Sequence, residues 1–301
     1  MQEGSRLQAP GSRAPAIRGS RLQAAGSRAQ RTTVGRMVLA LLLVVFALTA
    51  CIGTTGSGIV SFEAYGAGLE ELPPDTATRG LSFVNGTGWS ITLTRATLHI
   101  GAVYLNRSVP VSGGQERECI LPGVYVAQVL RGTTIDTLSP DLQRFPELGT
   151  GTADHAITAE VWLTGNGRRV DADDDPTVIA DVAGTATRGA ESMRFEGTIT
   201  IGRNRRTPAD NPSRPGANPI CTERIVNLIP TSITPTDGGA LVVRVDPRPW
   251  FANVELGELA PVSAESDLRR IPDDSESSPA HNLFEGLTSA SPITYRFEWR
   301  R

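Results

Sequence analysis

The chain has 301 residues and no lysine; all 29 basic residues are arginine. That bias is expected of a GC-rich genome rather than of a particular function. Cysteine is scarce, with three copies. Neither Cys119 nor Cys221 stands in a Cys-x-x-Cys pair or beside a histidine, which excludes a local zinc site. Past residue 50 there is a single methionine, Met193, so a methionine-rich copper site is excluded. The three histidines, His99, His155 and His281, are far apart, and none has a second ligand at metal-binding spacing. Gly-x-Ser-x-Gly, a P-loop and Gly-x-Gly-x-x-Gly before a helix are all missing. Those absences leave no nucleotide-binding or nucleophile motif.

Long hydrophobic runs are also lacking, with one exception, "MVLALLLVVFALTAC" from Met37 to Cys51. Its apolar stretch, Val38 to Leu48, is short of the ~20 residues that a membrane-spanning helix needs. It suits the ~7–15-residue apolar region of a secretory signal. Leu48-Thr49-Ala50-Cys51 follows and resembles the lipobox of bacterial lipoproteins. That resemblance implies cleavage before Cys51 and diacylation of its thiol. Stable anchoring takes about two acyl chains. Ile52, rather than Asp, follows the cysteine, and by the same resemblance the protein is expected at the outer membrane. Residues 1–36 repeat themselves: Gly4–Ala9 returns as Gly19–Ala24. They read as a disordered basic extension, or as sequence upstream of the true start at Met37. Residues 37–50 are then the signal peptide and 51–58 a Gly-rich tether.

Removing residues 1–50 takes away seven arginines and one glutamate, which leaves 22 basic and 31 acidic residues and a net charge of −9. A phosphate-binding face needs the opposite sign, so nucleic acid is excluded as a partner. The remaining pair, Cys119 and Cys221, suits one disulfide in an exported chain. It would stabilise by ~4–5 kcal/mol in the loop-entropy account.

Period-two alternation dominates residues 59–301. "ITYRFEWR" sets Ile293, Tyr295, Phe297 and Trp299 on one face. "ALVVRV" does so with Leu241, Val243 and Val245. "AITAEVWL" uses Ile157, Ala159, Val161 and Leu163, and "MRFEGTITIG" uses Phe195, Ile199 and Ile201. In "GWSITLTRATLHIGAVYL" the apolar phase slips near Arg95, as a β-bulge or a switch between sheets would require. Helical signals are few. "SPAHNLFEGL" begins with Ser278 as cap and Pro279 in the first turn, and a second short helix could start at "DPRPWF". The expectation is an all-β fold: one antiparallel β-sandwich with long Pro/Gly-rich loops and one or two short helices. The Pro-rich stretch 203–221 is too rich in proline for a central strand.

Two local compositions point to ligands. "VDADDDPTV" places Asp171, Asp173 and Asp175 at alternate positions, as in calcium loops, although the glycine and glutamate of that pattern are absent. The competing reading is a solvated hairpin tip. Trp250 and Phe251, beside two Pro–Arg steps, could form an exposed aromatic shelf for a flat or sugar-like ligand, or could plug the end of the sandwich.

"FVNGTGWSITLTRATLHIGAVYLN", "VAGTATRGAESMRFEGTITIG" and "VVRVDPRPWF" together resemble a group of surface lipoproteins of GC-rich bacteria, a likeness that implies no particular activity. The chain is also similar, more faintly, to the β-sandwich periplasmic partner of the methanobactin-linked di-haem enzyme pair, a family associated with copper and with modified tryptophan. That family carries more cysteines, and no site residue is carried over from it. The function expected is that of a lipid-anchored, non-enzymatic envelope protein that binds an unidentified ligand, a saccharide or an envelope protein. The alternatives are an envelope polysaccharide hydrolase using an Asp/Glu pair, and a copper-associated periplasmic partner protein.

Overall fold

The alternation seen in the sequence becomes two facing sheets. The computed structural model describes residues 58–73, 79–109, 123–163, 175–202 and 225–301, all within the compact unit Thr55–Arg301. Among them are fifteen strands: β1 (Ile59–Ala67), β2 (Leu81–Val84), β3 (Ser90–Ile100), β4 (Ala102–Asn106), β5 (Tyr125–Val129), β6 (Thr133–Asp136), β7 (Gln143–Arg144), β8 (Gly149–Thr152), β9 (Ala156–Trp162), β10 (Asp175–Arg188), β11 (Glu191–Gly202), β12 (Ile225–Ile233), β13 (Ala240–Val245), β14 (Leu268–Ile271) and β15 (Tyr295–Arg300). The described part of one sheet runs β12-β9-β4-β5-β8-β1-β13-β15, with β7 also on β1. The other runs β14-β11-β10-β3-β2, with β6 also on β3. The fold is all-β and sandwich-like. The pairing is not wholly antiparallel: β1 lies parallel to β13, and β11 parallel to β14.

The apolar faces meet in one core. Phe62, Val103, Val161, Leu241 and Val243 come from the first sheet, and Ile91, Leu98, Val182, Phe195 and Ile199 from the second. Of the two causes expected for the phase slip near Arg95, the β-bulge is the one found. Arg95 pairs with Ala183 and Leu93 with Gly184, so Thr94 is an extra residue in β3. Both Thr94 and Arg95 are exposed there, while Leu93 and Ala96 stay buried. Six residues later the chain leaves the second sheet at Gly101 and enters the first as β4, with the Gly101 N–H donating to the Trp162 carbonyl at 2.6 Å.

One end of the core is closed by short helices. A 3-10 turn, Arg248–Phe251, follows β13, and the helix α1 spans Ser278–Thr288, with Ser277 rather than Ser278 at its N-cap position and no side-chain cap hydrogen bond there. The Trp250 backbone lies so close to α1 that a β-carbon on Gly286 would sit 2.4 Å from the Trp250 carbonyl oxygen. Only glycine admits that approach. The turn at Asn85–Gly88 locks the same end. The Asn85 amide donates to the carbonyls of Phe251 and Val254 (3.1 and 2.8 Å) and accepts from the Trp89 backbone N–H.

Some placements differ from the sequence reading. Ile293 and Thr294 precede β15 instead of belonging to it; Ile293 is exposed and Thr294 buried. Ile157 is exposed, although its neighbours in phase, Ala159 and Val161, are buried. The signal segment, Cys51, Cys119, Cys221, Asp171, Asp173 and the Pro-rich 203–221 stretch lie outside the described residues.

Candidate functional site

Of the two readings of Trp250 and Phe251, the exposed shelf is not formed and the plug is. Trp250 and Phe251 are fully buried. The Phe251 ring packs 5.7 Å from Phe195 and 6.1 Å from Phe83, so the pair plugs the sandwich end. The reason is hydrophobic: the turn after β13 brings both rings onto the open edge of the core, where burial of each large ring stabilises by about 2–3 kcal/mol. Asp175 opens β10 opposite Gly202; its partners in the acidic loop are outside the described residues. The histidines are dispersed: His99 on β3 contacts Thr134, His155 contacts Thr234, and His281 on α1 faces Glu285. Among the described residues no group of three His, Cys, Asp or Glu is placed to hold a metal, and no helix is long and apolar enough to cross a membrane.

Two polar clusters that the sequence reading passed over lie on the outward face of the first sheet. The first is a cavity of about 200 Å3 lined by Leu69, Glu70, Glu71, Arg244, Arg248, Arg296 and Glu298. Its floor is Arg244, with only 3% of its side chain exposed. Nη1 donates to the carbonyls of Gly68 (2.9 Å) and Pro140 (3.0 Å), and Nη2 donates to Glu70 (2.6 Å). Nε lies 3.5 Å from Glu298 without completing a hydrogen bond. Glu70 and Glu298 are also ion-paired with Arg300. Two arginines and two glutamates thus close a neutral square. On one side Arg248 grips the buried Asp246 carboxylate bidentately at 2.7–3.1 Å, and these hydrogen bonds raise the Arg248 pKa above its ordinary value.

The remaining lining charges are Arg296 and Glu71. Both are exposed, and neither side chain makes an ion pair or hydrogen bond with a described residue. Arg296 stands directly across from Arg244 in the antiparallel β13–β15 pair. Like charges in that relation are destabilising by a few tenths to about 1 kcal/mol. Local conflicts of this kind collect at functional or strained sites.

The second cluster surrounds Glu160 on β9. This carboxyl is fully buried on the face away from the core. It accepts from Asn106 Nδ2 (3.0 Å) and Trp162 Nε1 (3.2 Å). Burial pushes its pKa up to about 7, against the two hydrogen bonds that pull it down. Tyr104 packs 4.9 Å from Tyr125 and 5.2 Å from Trp162. Burial raises both tyrosine pKa values, and the nearby Glu160 raises them further.

Comparison with known proteins adds no identification: no protein-family model, no curated protein and no solved structure matches the chain.

Proposed function

We propose that the protein is a lipid-anchored, non-enzymatic component of the bacterial cell envelope that binds a small charged solute in the Arg244–Arg296 cavity. The observation that supports it is Arg296, a cation with no partner among the described residues, aimed at the same cavity as the buried Arg244. The cavity is smaller than the ~300–1,000 Å3 of sites for drug-sized molecules, which favours a small solute over an oligosaccharide. A hydrolase needs two carboxyls facing a shared cleft with room for water or sugar. Glu70 and Glu298 are instead tied to each other through Arg244 and Arg300. Anchoring through Cys51, an outer-membrane location, the Cys119–Cys221 disulfide and calcium at Asp171, Asp173 and Asp175 are further parts of the proposal, resting on sequence alone.

The test is calorimetric titration of the purified protein with small anions, cations and zwitterions, beside the Arg296→Gln variant. A solute that binds the natural protein and loses at least tenfold in affinity to the variant supports the reading. Failure of the whole panel to bind, or binding that ignores the variant, sinks it.

A further inference from the structure

The charges around the cavity do more than mark it as a site. Taken in turn, they select the kind of solute. Arg244 and Arg300 are balanced by Glu70 and Glu298, and Arg248 is balanced by Asp246. Among the described residues that line the cavity, what remains is one cation, Arg296, and one anion, Glu71. A simple anion placed on Arg296 would share the cavity with the Glu71 carboxylate and be repelled by it. A simple cation placed on Glu71 would share the cavity with the Arg296 guanidinium and be repelled by it. A solute carrying both charges answers both residues and leaves the site neutral.

We infer that the cavity binds a zwitterion of the α-amino-acid class, its carboxylate on Arg296 and its ammonium on Glu71. This rests on the binding reading given above. The guanidinium of Arg296 offers the planar pair of donors that suits a carboxylate, and Glu71 offers acceptors only, as an ammonium requires. Arg244 contributes differently. With its Nη groups committed to Gly68, Pro140 and Glu70, it fixes the floor of the cavity. Leu69 supplies the apolar part of the wall, room for a side chain of modest size. Both ligand-facing charges are exposed, so affinity should weaken as salt screens them.

The experiment compares three forms of the same amino acids by calorimetry at low ionic strength: the free zwitterion, the N-acetyl derivative without the ammonium, and the methyl ester without the carboxylate. The free amino acids are drawn from the common set with small and medium side chains. At least one should bind ten or more times tighter than both of its derivatives. Glu71→Gln should lower affinity for the zwitterion and leave the N-acetyl form unchanged or improved. Arg296→Gln should lower affinity for the zwitterion and spare the ester. Both residues are exposed, so neither change threatens folding, and the derivative comparison on the natural protein needs no variant. An N-acetyl form or an ester that binds as tightly as the parent overturns the zwitterion inference while leaving the binding reading in place. If no form of any amino acid binds but acetate or inorganic phosphate does, the same holds. If nothing binds, both fail.

Discussion

Arg244 and Arg296 are direct cross-strand neighbours on β13 and β15, and of the two only Arg244 is ion-paired with described residues. Their apposition predicts opposite consequences for two similar-looking substitutions.

Arg296→Gln removes a repulsion and leaves nothing buried without a partner. The protein should unfold at the same or slightly higher denaturant concentration, a gain of up to about 0.5 kcal/mol. A loss above about 1 kcal/mol in urea titration would mean that Arg296 holds structure instead of ligand.

Arg244→Met should be costly. It leaves the Gly68 and Pro140 carbonyls without their donor and strips Glu70 and Glu298 of the cation between them. Breaking a buried pair from one side costs roughly 3–5 kcal/mol; Glu70 keeps Arg300 and is exposed, so the lower end is expected. Equilibrium unfolding of the variant measures it, and a loss below about 1 kcal/mol would show the square to be ornamental.

Glu160 makes stability depend on pH in a defined direction. Its carboxyl titrates near 4.5 in the unfolded chain and about 7 in the fold. Between those values the folded state keeps a proton that the unfolded chain has lost. The contribution is therefore fully present below pH 4.5, declines as pH rises, and is gone above about 7. Its span is on the order of 3 kcal/mol. The Glu160→Gln variant keeps the shape and cannot ionise, so its stability should fall less across that window. Unfolding free energies of the two proteins at several pH values give the difference, and parallel curves would contradict the assignment.

The anchor is open to a simpler check. Cys51→Ala should give an uncut precursor or a soluble product, and mass spectrometry of the natural protein should find acylated Cys51 at a new amino terminus. An intact chain with an unmodified Cys51 would remove the lipid from the proposal.

The sequence made the inward faces legible and concealed the outward ones. Alternation in "MRFEGTITIG" correctly placed Phe195, Ile199 and Ile201 in the core, and the slip at Arg95 marked the bulge at Thr94. Period two says only which residues share a face. It cannot say that the second face is covered as well. In "AITAEVWL" and "ALVVRV" the residues out of phase with the inward set include Glu160, Trp162, Val242 and Arg244, and these are buried as well. The available signal was a single charge inside an otherwise apolar strand, which is the pattern of a strand buried on both sides. The cavity itself had no such signal, because Glu70, Arg244 and Glu298 come together only through the parallel pairing of β1 with β13 and the return of β15. For Trp250 and Phe251 the sequence left shelf and plug both open; the close approach of α1 to the Trp250 backbone at Gly286, a long-range contact, is part of what closes that end.

The crossing at Gly101 has a mechanical consequence. Residues 90–106 form one nearly unbroken extended segment, whose first part is hydrogen-bonded into one sheet and whose second part into the other. A shear of either sheet along its strands would pull directly on the other through a hinge one residue long. The two layers therefore cannot slide past one another as separate plates. Any strain placed on β13 and β15 has to be absorbed locally, while the layers behind them stay fixed like the two arms of a single bent spring.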